Sequence, residues 1–247
     1  MLRFKIEKKP LRFHVQKVAV VGEGAYERGY DAGYIAGQAS VPDLLADRMN
    51  NNLTTYTSEN VGRVGSYAFW GCTSIESIDL PSCECIDSAA FQNCTSLKSA
   101  KFDGCTSMAG TVFRGCRVLE SVHFPNLNTT STYAFADCVN LTSVVFPTLG
   151  TLGGALFSGC TSLERAELPA ATSIGAMTFQ NCTALTVVTI TQQGIVCSLA
   201  ATSAFAGTPI ESGTGFIYVP DNLVEQYKTA KNWSTFATQI KPLSELK

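Results

Sequence analysis

A phenylalanine and a cysteine return together every 22 residues: Phe69/Cys72, Phe91/Cys94, Phe113/Cys116, Phe135/Cys138, Phe157/Cys160 and Phe179/Cys182. A fixed period of this size over six units is the signature of a solenoid, in which each unit buries its apolar face against the next. The units run Val64–Cys85, Ile86–Ser107, Met108–Thr129, Thr130–Thr151, Leu152–Ser173 and Ile174–Ile195. A seventh, irregular unit follows, with Phe205 placed 26 residues after Phe179 and Thr208 in place of the cysteine.

Further columns are apolar in every unit. One holds Ile75, Leu97, Leu119, Leu141, Leu163 and Leu185; a second Ile78, Ala100, Val122, Val144, Ala166 and Val188; a third Leu80, Phe102, Phe124, Phe146, Leu168 and Ile190. The second and third lie two residues apart, so they point to one side of a short strand. Pro81, Pro125, Pro147 and Pro169 end that strand, because proline cannot donate to a ladder. The Phe-x-x-Cys half reads as a tight turn or one helical turn on the convex side, with the phenylalanines stacked as an internal spine. The fold class expected is a leucine-rich-repeat solenoid with short parallel strands on the concave side. The stacked cysteines read as small buried thiols.

Three regions follow: residues 1–60, the repeats at 61–208 and a C-terminal cap at 209–247. In the first, Leu2, Phe4 and Ile6 and then Leu11, Phe13 and Val15 alternate around Pro10, as in an amphipathic hairpin. Tyr26, Tyr30 and Tyr34 and Gly29, Gly33 and Gly37 recur with period four. On a helix they form adjacent stripes suited to close self-association; a linker is the alternative. A short helix over about 43–50 follows Pro42. In the cap, residues 215–220 read as a final strand. Asp221 reads as the N-cap of a helix over roughly 222–231, and Trp233 and Phe236 close the core.

The formal net charge of −2 supplies no broad field for nucleic acid. No apolar run approaches the roughly 18–20 residues of a membrane helix, and no signal peptide is evident. Reactive constellations are also missing. Val20-Val21-Gly22-Glu23-Gly24 begins like a dinucleotide fingerprint, but Glu27 stands where the third glycine belongs. Cys83, Cys85 and Cys105 fall short of the four ligands structural zinc takes, and Cys83 and Cys105 share a repeat position. His14 and His123 have no partner at motif spacing, so neither catalytic residues, metal nor cofactor is expected. What varies between units is the set of outward residues on the strand face. Asp79, Lys101, His123, Val145, Arg165, Glu167 and Thr189 are the candidate binding residues.

The run Ala134-Phe135-Ala136-Asp137-Cys138-Val139-Asn140-Leu141-Thr142-Ser143-Val144-Val145-Phe146-Pro147 resembles the BspA-like (Treponema pallidum type) leucine-rich repeats of bacterial surface proteins, as does the unit beginning Ala90-Phe91. The tail from Tyr218-Val219-Pro220-Asp221 to Pro242-Leu243-Ser244 is similar to the end of such arrays. The resemblance covers about residues 64–247. It implies a non-enzymatic adhesion or partner-binding protein whose ligand is a protein or surface glycan. The run Gly29-Tyr30-Asp31-Ala32-Gly33-Tyr34-Ile35-Ala36-Gly37 resembles segments of phage and prophage structural proteins. That likeness implies a virion-attached or cell-surface protein, or a decoration subunit that assembles through residues 1–60.

Overall fold

The computed structural model describes residues 18–20 and 54–246. The expected hairpin, the Tyr/Gly stripes, the 43–50 helix and the Gly22-Glu23-Gly24 turn lie outside the described residues.

Each repeat contributes two short strands, and all described pairings are parallel. The first set is β2 (Thr55–Thr57), β4 (Ser77–Asp79), β6 (Ser99–Lys101), β8 (Ser121–His123), β10 (Ser143–Val145), β12 (Arg165–Glu167) and β14 (Val187–Thr189). It continues into the cap with β16 (Phe216–Val219) and β17 (Ile240–Pro242). This is the strand face expected from the Val-x-Phe columns, and its register steps by the repeat period, as in Ser77↔Ser99 and Asp79↔Lys101. The second set is a continuous sheet on the flank: β1 (Val18–Val20), β3 (Val61–Val64), β5 (Cys85–Ile86), β7 (Ser107–Met108), β9 (Thr129–Thr130), β11 (Thr151–Leu152), β13 (Ser173–Ile174) and β15 (Ser198–Leu199). β1 lies beside β3 with Ala19↔Arg63 and Val20↔Val64 in register, so Val18–Val20 extends the repeat sheet.

Between the two strand sets, the Phe-x-x-Cys segment forms tight turns. The rings of Phe69, Phe91, Phe113, Phe135, Phe157, Phe179 and Phe205 stack with centroids 5.0 to 5.6 Å apart and planes within 12°. Each turn is also laddered to the next unit: Phe91 N–H donates to Val112 C=O, Phe113 to Ala134 and Phe135 to Leu156. The spine is therefore a column of rings between two rows of backbone hydrogen bonds. That arrangement buries the rings and satisfies the polar backbone groups buried with them.

The cysteine column has a hydrogen-bonding role that its periodicity did not reveal. The thiols of Cys94, Cys116, Cys138, Cys160 and Cys182 donate to the carbonyls of Phe69, Phe91, Phe113, Phe135 and Phe157, at 3.0 to 3.2 Å. The same phenylalanine carbonyls accept the N–H of their own unit's cysteine. All ten cysteines are free, and all but Cys85 are buried. Burial pushes the Cys83, Cys105, Cys182 and Cys197 thiols up to about 12 and holds Cys94, Cys138 and Cys160 well above the ordinary thiol value. At neutral pH these groups are protonated packing elements.

The first six turns each use two left-handed residues, and the seventh, at Phe205, uses one. Two positions before the phenylalanine, Tyr67, Ala89, Thr111, Tyr133, Ala155 and Met177 adopt φ between 53° and 60°. Two positions after it, Gly71, Asn93, Gly115, Asp137, Gly159, Asn181 and Gly207 alternate between glycine and Asn/Asp, all at positive φ. Asn and Asp are the non-glycine residues that tolerate this conformation best. The alternation has a steric cause. A Cβ built on Gly159 would stand 2.7 Å from Asp137 Oδ1, and one on Gly207 would stand 2.6 Å from Asn181 Oδ1. An Asn or Asp in one unit lies over the same position of the next, where glycine alone leaves that side chain undisturbed.

The C-terminal cap closes the spine. Trp233 and Phe236 pack on Phe205, and Tyr227 meets Trp233 edge-on. Trp233 Nε1–H donates to Cys197 C=O at 2.6 Å, and Cys197 N–H donates to Tyr227 Oη at 2.9 Å. After a one-turn α1 (Pro209–Ser212), the expected helix is shorter than read: a 3-10 turn (Asp221–Leu223) leads into α2 (Val224–Thr229). Asp221 is not its N-cap. Its carboxylate accepts Ser244 N–H at 3.1 Å, tying this segment back to the cap, and hydrogen bonding from the Ser244 side chain first and its backbone second holds the Asp221 pKa below the usual value.

Candidate binding face

The outward residues of β4 to β17 form one continuous candidate surface with three parts. At the N-terminal end Asp79, Lys101 and His123 come together, as their columns require. Lys101 Nζ stands 3.1 Å from Asp103 Oδ2 and 3.5 Å from Asp79 Oδ2, and the hydrogen bond to Asp103 raises the lysine's pKa. His123 Nε2 lies 3.3 Å from Asp103 Oδ1, yet that oxygen has no hydrogen-bond partner; the approach is close but off the line a hydrogen bond needs. Asp79 Oδ1 is likewise buried without a partner. A trough of about 570 Å³ runs over this cluster, lined by residues from Thr57 to His123.

Asp103 was missed as a site residue. It occupies the column that elsewhere holds Pro81, Pro125, Pro147 and Pro169, so the break in that column was the available signal. Replacing a strand-ending proline by aspartate puts a second carboxylate beside Lys101.

In the middle, the ladder parts. Among the described residues no backbone hydrogen bond joins β8 to β10, and the face divides there into a four-stranded and a five-stranded sheet. The equivalent bonds are present on both sides: Glu120 N–H donates to Lys98 C=O and Glu164 N–H to Thr142 C=O. The inner ring column changes at the same point. Phe102 and Phe124 stack at 5.2 Å and 9°, whereas Phe146 tilts against Phe135 and Phe157. The flank sheet thins there too, with Thr151↔Thr129 the one registered pair between β9 and β11. Val122, expected inside, is consequently half-buried. A cleft of about 290 Å³ opens between Val122, Phe124 and Pro125 on one side and Val145 and Pro147 on the other, with Glu120 and His123 in its lining. Val145 is 50% exposed.

At the C-terminal end, Arg165 and Glu167 face outward as expected, their charged groups 4.0 Å apart. Thr189 does not: it is 5% exposed. It lies in register between Glu167 and Tyr218, two larger side chains that shield it. The aromatic anchors absent from the repeat strands come instead from the cap. Phe216 and Tyr218 continue the outward columns of Val187 and Thr189, half-buried, with ring centroids 6.5 Å apart and Lys241 Nζ 5.8 Å from the Phe216 ring. Reading residues 215–220 as a closing strand hid their place on this face.

Among the described residues, no group of three or more His, Cys, Asp or Glu side chains is arranged to hold a metal ion, and no helix is long and apolar enough to cross a membrane.

Comparison with known proteins matches this architecture. Two solved leucine-rich repeat proteins superpose on the chain. One from Bacteroides ovatus is 28% identical with a TM-score of 0.52, over 57% of this chain and 38% of its own. One from Eubacterium ventriosum is 25% identical with a TM-score of 0.55, over 63% of this chain and 43% of its own. The chain thus spans less than half the length of either. A search of curated proteins finds no match. The family model for the BspA type leucine rich repeat region matches in six copies over residues 49–164 and 111–214. With stacked parallel strands, a phenylalanine spine and this match over most of its length, the chain belongs to the BspA-type leucine-rich repeat family.

Proposed function

We infer that this chain is a non-enzymatic binding protein that presents the β4–β17 face to a protein or surface-glycan partner. One observation carries the reading. The interior columns repeat from unit to unit, while the outward columns change and gather chemically distinct groups: a charged cluster at Asp79, Lys101, Asp103 and His123, an apolar cleft, and an aromatic end at Phe216 and Tyr218. Aromatic and arginine side chains on an accessible face are the usual carriers of binding energy. Asp79, Lys101, His123, Val145, Arg165 and Glu167 remain in the proposed contact set, joined by Asp103, Phe216 and Tyr218. The test is binding of the full chain to arrayed surface glycans and immobilised extracellular proteins, repeated with Lys101→Ala/His123→Ala/Arg165→Ala. The expected result is a loss of at least roughly tenfold in affinity, as for loss of interface residues that carry binding energy; binding unchanged by the triple substitution overturns the reading.

Attachment through the N-terminal segment is the second part of the proposal. The likeness of residues 29–37 to phage structural segments supports a particle- or surface-attached setting, with the chain as ligand-binder or decoration subunit. β1 pairs with β3 and β2 with β4, so the attachment module comprises the parts of residues 1–60 outside those two strands. Light scattering of the full chain tests self-association through Tyr26, Gly29, Tyr30, Gly33, Tyr34 and Gly37. A strictly monomeric chain at high micromolar concentration removes the support for assembly through this segment.

A further inference from the structure

We propose that the cleft between β8 and β10 is a pocket for a single cationic side chain with an aliphatic stem, a lysine or arginine of a protein partner. The proposal rests on the binding reading and narrows it to one class of contact. The cleft's walls are apolar: Val122, Phe124, Pro125, Val145 and Pro147. Its volume of about 290 Å³ lies near the lower end of small-ligand sites and suits one long side chain better than a cofactor. The parted ladder adds acceptors. In neighbouring units the carbonyl equivalent to that of Glu120 accepts two N–H groups from the next unit, as Glu76 C=O does from Lys98 and Ser99. Among the described residues, Glu120 C=O has no such partner, and neither does Val145 C=O, whose equivalent Lys101 C=O accepts Leu80 N–H.

Charge complementarity selects the head group. Glu120 and His123 are the titratable residues in the lining. His123 is turned toward Asp103. The nearest lysine in the column, Lys98, is held by Glu76 at 2.8 Å. Glu120 is exposed and makes no direct ion pair among the described residues; Lys98 feels its charge but is bonded to Glu76, so the cleft combines an apolar channel with a carboxylate that no side chain holds and open carbonyls at its rim. A stem that lies on Val122, Phe124 and Val145 and a head that meets Glu120 satisfy both parts, as long basic side chains do when they bury the stem and keep the charge at the edge. An aliphatic or aromatic side chain leaves the carbonyls unpaired, and an acidic one meets Glu120.

The probes are three five-carbon molecules with an unbranched aliphatic stem and different heads: n-pentylammonium, 1-pentanol and valerate. Each is titrated into the isotope-labelled full chain and followed by amide NMR. Pentylammonium should shift Val122, Phe124, Ser143 and Val145 amides, and Glu120→Gln should weaken it about two- to fivefold, the upper part of the range for one exposed ion pair. Equal shifts with pentanol, stronger shifts with valerate, insensitivity to Glu120→Gln, or shifts centred on Asp79 and Asp103 would each overturn the proposal. Because no natural partner is needed, failure here leaves the wider binding face standing, and the two failures are distinguishable.

Discussion

The alternation of glycine with Asn or Asp after each spine phenylalanine makes a prediction that separates backbone strain from steric contact. Gly71 and Gly115 occupy the same left-handed position two units apart, at φ 67° and 76°. A Cβ on Gly71 meets nothing within 4 Å, whereas one on Gly115 falls inside van der Waals contact of Asn93 Oδ1. Gly71→Ala therefore carries only the left-handed penalty, about 1–2 kcal/mol. Gly115→Ala carries that and also forces the Asn93 side chain off its rotamer, a further ~0.5–1.5 kcal/mol. Asn93→Gly removes the obstacle, so the double variant Gly115→Ala/Asn93→Gly should show a coupling energy of about 0.5–1.5 kcal/mol, in the range found for residues in contact.

The assay is urea unfolding of the full chain for the four members of the cycle, with Gly71→Ala as the reference. Unfolding slopes must match across the set, because repeat arrays can lose cooperativity and then no single free energy applies. Equal losses at Gly71 and Gly115, or a coupling within about 0.3 kcal/mol of zero, the usual limit of additivity, would refute the steric account. The alternation would then be unexplained by contacts between units.

Three further outcomes follow from the same architecture. Phe113 touches Phe91, Phe135, Phe102 and Phe124; Phe113→Ala should cost about 3–5 kcal/mol by urea unfolding and Phe113→Leu, which keeps most of the volume but loses the stacking, a smaller but measurable amount, and a Phe113→Leu cost near zero would deny the rings any role beyond volume. Tyr227→Phe leaves the buried Cys197 N–H without its phenolic acceptor and should cost about 1–3 kcal/mol, read as faster hydrogen exchange in the cap; unchanged exchange would show the cap is held by packing alone. Stability should also fall in alkali. The Cys83, Cys105, Cys182 and Cys197 thiols sit at about 12 in the folded chain against an ordinary 9.0, so their full contribution is present below pH 9. Above it the unfolded thiols ionise first, and each costs on the order of 1.4 kcal/mol per pH unit up to about 12. Urea midpoints that stay flat as the pH is raised from neutrality to about one unit above the ordinary thiol value would contradict their burial.

The strand face and spine were legible because side chains make them: a buried column must be apolar in every unit, and a period of 22 exposes it. The flank sheet was not, because its strands from β5 onward are two residues long, too short for an alternation to register, and its strongest mark is the single column Ile86, Met108, Thr130, Leu152 and Ile174. The parting of β8 from β10 left no trace in the pattern, since Val122, Phe124, Val144 and Phe146 keep the column identities of the other units. What changes there is backbone pairing, which side-chain identity reports only indirectly. Thr189 was misplaced for a related reason: its column points outward, but its exposure depends on Tyr218, a residue from the cap.

The candidate site is therefore written in departures from the repeat. A solenoid that kept every column would present Ser-x-Xaa strands ended by proline, a surface with little to discriminate one partner from another. Asp103 in the proline column brings a second carboxylate to Lys101. The parted ladder turns Val145 from one more outward residue into the wall of a cleft. The cap adds Phe216 and Tyr218 in register with Val187 and Thr189. Each departure costs some of the regularity that stabilises a stacked array, and each falls on the same face. An array under selection for stacking alone has no reason to collect its irregularities there, whereas a binding face does.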